Sequence, residues 1–332
     1  MILPPSRARR AVRLVLAPLW AGLGAALSVA VPPAGLLLVP LGAARLGWAA
    51  LNAPTAAEAL AMAGLAPPAA LLVGALVAGG GGMTAAMLAA ALFSLPALAL
   101  LAAARDGRRQ GDVLLVVAAA TGIGLLSVLL GVLVSGTDPG PWLAARLAER
   151  LPEIVSYYRT AGWDESAIEA ASRLFRLAGS VLAEQLPGLV LGAAVLFSGA
   201  LVYPLGRLWG AEARDLRERS FSRFVTPLWA AVAFVPAGLG AALAPGPGRG
   251  AAVDLLLPLV ALFFLRGLAI IRALLDRGRA GPFLRALVYL VVFQMPLPFV
   301  LAFGGLLDEF VDVRGRVERW ASTRGTGGPP SP

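Results

Sequence analysis

The sequence predicts an all-α fold, a polytopic transmembrane helical bundle, and three observations lead there. Hydrophobic residues are 58% of the 332 and charged residues only 14%, where a soluble domain carries about 25% charge. The mean hydropathy is +0.80. Apolar runs of roughly 18 to 25 residues recur along the chain, each long enough to cross about 30 Å of hydrocarbon as a helix. Counting them gives about eight to nine spans, with one amphipathic helical pair outside the bilayer.

The first 136 residues read as an N-terminal transmembrane bundle, 1–136, of about five spans. Arg7, Arg9, Arg10 and Arg13 precede the run Leu14 to Val31, so the N-terminus is expected in the cytoplasm. Ser28-Val29-Ala30 resembles a cleavage site, but a second run, Pro33 to Ala50, follows at once, and an uncleaved first helix is the expectation. Pro67 to Ala78 makes a third span only if the glycines Gly79 to Gly82 join it. Met83 to Ala104, closed by Arg105, Arg108 and Arg109, is the fourth, and Val113 to Val134 the fifth.

In 137–186 the hydrophobicity becomes periodic. Leu143, Leu147, Leu151, Ile154 and Tyr158 recur at helical spacing; after Gly162 a second stripe runs Ile168, Phe175, Ala178 and Leu182, with Ser166 and Glu169 in a capping-box pattern. Acids outnumber arginines here, so this amphipathic hairpin is expected on the extracytoplasmic side, as a cap on the bundle or as a gate.

A C-terminal bundle, 187–307, follows with about four spans: Gly188 to Leu205, Phe224 to Leu243, Val253 to Leu275 and Phe283 to Leu307. After the first of these come Arg207, Arg214, Arg217, Arg219 and Arg223, a cytoplasmic basic segment suited to anionic lipid headgroups or to a protein partner. The order of charges leaves one helix in question, and Gln294-Met295-Pro296-Leu297-Pro298 is a place where the last span could break. The polar tail 308–332 ends in a Gly-, Pro- and Ser-rich stretch expected to be disordered.

The chain has no cysteine, no histidine and no lysine; its 28 basic residues are all arginine. Thiolate nucleophiles, histidine relays, His/Cys metal sites and a P-loop lysine are thereby removed. No cofactor is expected and no enzymatic activity. The net charge of +9 fits lipid and cytoplasmic loops better than nucleic acid.

The informative polar residues are those inside apolar runs, where a charge costs at least about 2.5–3.5 kcal/mol. Arg266 lies near the middle of its span and should meet an acid, a carbonyl or an anionic ligand. Asp254, twelve residues earlier, is about 18 Å away along the helix, so each needs a partner elsewhere. Gln294, between Phe293 and Met295, lies just ahead of two prolines, and Arg45 and Asn52 lie near the end of the second run. These five are the candidate ligand-binding residues; for each the competing reading is an interhelical bond. Asp308, Glu309 and Asp312 read as a helix end paired with Arg314 and Arg316.

The C-terminal third carries a resemblance. Asp254 to Gly278, "LRALVYLVV", and Gly304 to Arg316 resemble the domain-of-unknown-function 2232 family, the YybS-like bacterial membrane proteins, most specifically at Gly267-Leu268-Ala269, Gly305-Leu306 before Asp308, and Asp312-Val313-Arg314. Asp254 stands where that family usually has asparagine and Arg266 where it has glutamine. The resemblance implies a multi-pass protein of the bacterial inner (cytoplasmic) membrane. It also implies N-terminal helices similar to the S components of energy-coupling-factor transporters, which bind a solute and join a coupling membrane protein through Ala-x-x-x-Ala faces; Ala17, Ala21 and Ala25 have that spacing. Binding or transport of a small anionic solute, without an ATPase in the chain, is the first expectation. A membrane scaffold that holds protein partners is the second.

Overall fold

The structure, a computed structural model, describes residues 55–78, 82–105, 110–208, 221–278, 280–294 and 296–311, with Gly315 and scattered positions among 16–53. Every regular element among them is helical. In chain order these are α1 (Ala56–Ala78), α2 (Gly82–Ala89), a π turn (Ala90–Ser94), α3 (Leu95–Arg105), α4 (Gln110–Val134), α5 (Pro139–Thr160), α6 (Glu165–Leu208), a 3-10 turn (Phe221–Arg223), α7 (Leu228–Leu243), α8 (Pro247–Arg277), α9 (Pro282–Val292) and α10 (Leu297–Val311).

By length and composition four helical stretches can cross a membrane, Ala86–Ala103, Gly111–Val134, Glu165–Val202 and Pro247–Arg277, or five if the bent pair α9 and α10 counts as one span. The expected eight to nine spans exceed what the described residues supply. The runs Leu14 to Val31 and Pro33 to Ala50 lie mostly outside those residues, and the apolar stretches Ala57–Val73 and Leu228–Leu243 are short. The final run is not one straight helix, because it bends by 100° between Val292 and Leu297. Hydropathy sums over such a bend without registering it.

Alanine forms the core of the N-terminal half. Ala17, Ala21 and Ala25 are buried in one cluster with Ala43, Leu46, Ala63, Ala66, Ala70, Phe93 and Leu100. Small side chains let helix backbones approach closely where lipid supplies no hydrophobic drive. The Ala17, Ala21, Ala25 face is turned into the bundle.

Prolines organise the helix crossings. A proline in a helix leaves the carbonyl four residues earlier without its donor, and at three places a neighbouring helix comes to that carbonyl. Pro67 frees the carbonyl of Ala63, and the buried Ser94 hydroxyl donates to it at 2.6 Å. The π turn that presents Ser94 itself lies just ahead of Pro96. Pro187 frees the carbonyl of Ala183, which meets Gly140 of α5; a Cβ there would stand 2.6 Å from that oxygen. Pro258 frees the carbonyl of Asp254, which meets Gly188 of α6, where a Cβ would stand 2.8 Å from it. Glycine allows its Cα–H to reach these oxygens, a weak bond that compensates part of the loss.

α5 and the first part of α6 form the expected amphipathic hairpin. Its tip is Gly162, at φ 79°, with the Tyr158 and Trp163 rings 4.5 Å apart. The helix start differs from the capping box read in the sequence. Asp164, not Ser166, is the cap: its carboxylate accepts the backbone N–H of Ser166 at 3.2 Å and also the Ser166 hydroxyl. The bond from the Ser166 side chain, followed by that from its backbone, holds the Asp164 carboxyl below the usual aspartate range. Glu169 pairs with Arg173 at 3.5 Å instead of folding back on Ser166. Further along, α6 kinks at Gln185 (φ −121°, ψ 23°).

Candidate functional site

α8 and α10 cross through two glycines. A Cβ on Gly267 would lie 2.2 Å from the Leu301 carbonyl oxygen, and one on Gly305 would lie 2.1 Å from that of Phe263. The contact is reciprocal: residues four apart on each helix exchange a glycine for a carbonyl, the close crossing that small residues permit. Both glycines belong to the motifs on which the sequence resemblance rests, and their role is backbone contact.

That crossing positions the buried charges. Arg266 precedes Gly267 by one residue and is 5% exposed; Asp308, three residues after Gly305, is 3% exposed. Arg266 Nε donates to Asp308 Oδ2 at 2.9 Å, Arg266 Nη1 donates to Thr226 Oγ1 at 2.6 Å, and the same Nη1 is ion-paired with Glu309 Oε2. Thr226 in turn donates to Glu309 Oε2 at 2.9 Å. One guanidinium thus ties α8 to α10 and to the residue two ahead of α7. A buried charge needs such partners, since its desolvation costs several kcal/mol.

The sequence placed Arg266 in the middle of a span; the neighbours place it level with helix ends. Thr226 lies just before Leu228, where α7 starts, and the Val225 carbonyl faces Gly111, the second residue of α4. α8 has 31 residues and α7 only 16, so α8 runs eleven residues past Arg266. That extension is held by Asp276, which accepts from Arg272 Nε at 2.9 Å and pairs with Arg285 Nη2 of α9 at 3.1 Å.

Asp254 is not near Arg266 along α8. Its carboxylate accepts the backbone N–H of Gly188 at 2.9 Å, capping from another helix the membrane half of α6 that restarts after the kink. Gln185, with its amide nitrogen turned to donate, adds bonds of 3.2 Å to Asp254 Oδ1 and 3.1 Å to the Gly250 carbonyl. A helix start left bare by Pro187 is thereby satisfied.

The remaining candidates do not converge on Arg266. Gln294 is exposed at the bend, where its backbone closes the turn: its N–H donates to Val291 and its carbonyl accepts from Leu297 at 2.8 Å. Arg45 is exposed, and Asn52 lies outside the described residues. Of the basic segment, Arg207 is the last but one residue of α6 and Arg223 ends the 3-10 turn, while Arg214, Arg217 and Arg219 lie outside the described residues. Asp308 and Glu309, expected at a helix end, lie buried against Arg266, and α10 continues to Val311, past the boundary drawn at 308; Arg314 and Arg316 lie outside the described residues. Thr226 was missed altogether. The signal for the acids was available, because Asp308 and Glu309 follow Gly305 at one helical turn, on the side a close crossing would bury. Among the described residues no group of three or more acidic side chains is arranged to hold a metal.

Fold and site together define a multi-pass helical membrane protein whose buried charges are joined to one another. The chain belongs to the family described as predicted membrane protein (DUF2232), which matches residues 60–308. No curated protein and no solved structure matches it.

Proposed function

We propose that this protein is a membrane scaffold: a helical bundle that presents the α5–α6 hairpin to a protein partner, and whose basic segment from Arg207 to Arg223 rests on anionic headgroups. The observation that carries this reading is the use of Arg266. Its guanidinium is bound to Asp308, Glu309 and Thr226, so the best candidate for gripping an anionic solute is already occupied by the fold. Asp254 is likewise engaged at Gly188, and Gln294 and Arg45 face outward. The hairpin supplies the contact surface, because Leu174, Leu177 and Val181 form an exposed apolar stripe at helical spacing.

A second reading, capture and passage of a small anionic solute in the manner of an S component, with an energising partner in the membrane, draws on one feature. The broken pair α9 and α10, bent by 100°, is the kind of discontinuous helix that builds substrate sites in secondary transporters. Both readings place the protein in the bacterial inner membrane with its N-terminus in the cytoplasm.

Native mass spectrometry of the gently solubilised full-length protein separates them. The scaffold reading expects a co-purifying protein that is lost from a Leu174→Glu, Leu177→Glu variant and retained by Arg266→Gln. A defined small molecule bound by the wild type with no co-purifying protein, and still bound by the Leu174→Glu, Leu177→Glu variant, would overturn it.

A further inference from the structure

A groove of about 280 Å³ runs between the two helices of the hairpin, bounded by Leu147 and Leu151 of α5 and by Phe175, Arg176, Gly179 and Ala183 of α6. Its position is defined by the kink at Gln185: Gly179 is six residues before that break, about 9 Å along the helix. The groove therefore opens just before the kink, within the stretch Glu165–Val202 that is long and apolar enough to cross a membrane.

The walls are hydrocarbon. Ser180, the other polar side chain in the lining, donates its hydroxyl to the Leu177 carbonyl at 2.8 Å, so water in the groove would find few partners. The rim carries one cation in an unusual state for this hairpin. Arg146, Arg150, Arg159 and Arg173 each pair with a glutamate, whereas Arg176 makes no ion pair with any described residue. An apolar slot of this size, just below the roughly 300–1,000 Å³ typical of ligand sites, with a single uncompensated guanidinium at its mouth, is complementary to a hydrocarbon chain ending in an anion.

We propose that this groove holds an acyl chain of an anionic phospholipid from the adjoining leaflet, with Arg176 on the phosphate. The site is independent of the scaffold reading, since the exposed stripe Leu174, Leu177 and Val181 is not part of its lining. Gly179 is the position that tests it. A Cβ there meets nothing within 4 Å, so Gly179→Leu fills the groove without disturbing the helices, and the unchanged or raised melting temperature of that variant confirms the fold.

The probe is a phosphatidylglycerol carrying a photoactivatable group on its acyl chain, incorporated with the full-length protein into phosphatidylcholine nanodiscs. Peptide mapping should show crosslinks at 147–151 and 175–183 in the wild type, reduced about tenfold in Gly179→Leu, the ratio a loss of roughly 1.4 kcal/mol of affinity produces. Arg176→Gln should abolish the preference for phosphatidylglycerol over an equally labelled phosphatidylcholine. Arg173→Gln, which removes an arginine already paired with Glu169, should leave that preference intact. Equal labelling of this segment in wild type and Gly179→Leu, no labelling at all, or a protein segment crosslinked there in place of lipid would each overturn the proposal.

Discussion

Two sets of ion pairs divide the molecule. On the hairpin, arginine and glutamate side chains meet at 2.8 to 3.5 Å while remaining 61% to 71% exposed. At the α8–α10 crossing, Arg266 meets Asp308 at a comparable 2.9 Å, with side chains 6% and 1% exposed. The distances are alike and the consequences are not. Water and salt already satisfy the exposed partners, so forming each pair changes little; the buried partners have no such alternative, so losing one leaves a bare charge in a low-dielectric interior.

The contrast is sharpest at Arg266. Arg266→Leu should lower stability in detergent by about 3–5 kcal/mol, and removing Asp308 and Glu309 to leucine in the same chain should recover much of it, because no unpaired charge then remains. Denaturant titration checks both; a single mutant as stable as the wild type would break the comparison. Next in size is the crossing beneath those charges. Gly305→Leu should cost about 1–3 kcal/mol or more, since its Cβ cannot move away from a backbone carbonyl, and it should weaken the Arg266 contacts with it, visible as non-additivity with Asp308→Leu. Ser94→Ala tests a buried bond with no charge. The Ala63 carbonyl, already without a helical donor, would be left unpaired at a cost of about 1–3 kcal/mol, measurable as a shift in the thermal transition. The smallest effect belongs to the hairpin: Arg150→Ala should change stability by less than about 0.5 kcal/mol, and raising the salt concentration should erase even that.

How far the sequence reached varies along the chain. α4, the helical hairpin and the span ending at Arg105 follow from local signals, hydrophobic length and periodicity, that need no partner to be read. The place of Arg266 beside the starts of other helices did not follow, because it depends on where α7 and α4 begin relative to α8, a relation between helices that no window along one helix contains. Asp308 and Glu309 read as a helix end with ion pairs since the run ends there; their burial is dictated by a glycine crossing with a segment about forty residues away. The acids of the cap were misassigned for a smaller reason: Ser166 and Glu169 have capping-box spacing, but Asp164, one residue ahead of the helix, has the stronger acceptor. The prolines show the same limit. Each reads locally as a defect, and only the neighbouring helix reveals that its stray carbonyl has been taken up.

The bond from Ser94 to the Ala63 carbonyl also restricts movement. Helices that meet only through alanine can slide by one turn and find an equivalent seam, since one methyl resembles the next. Here the irregularity of α1 and that of the π turn match at a single register. A displacement of about 5.4 Å would strand an oxygen in hydrocarbon and a hydroxyl beside methyl groups. The two interruptions behave as a detent, holding the N-terminal half at a fixed setting against the axial shifts by which helical bundles otherwise change shape.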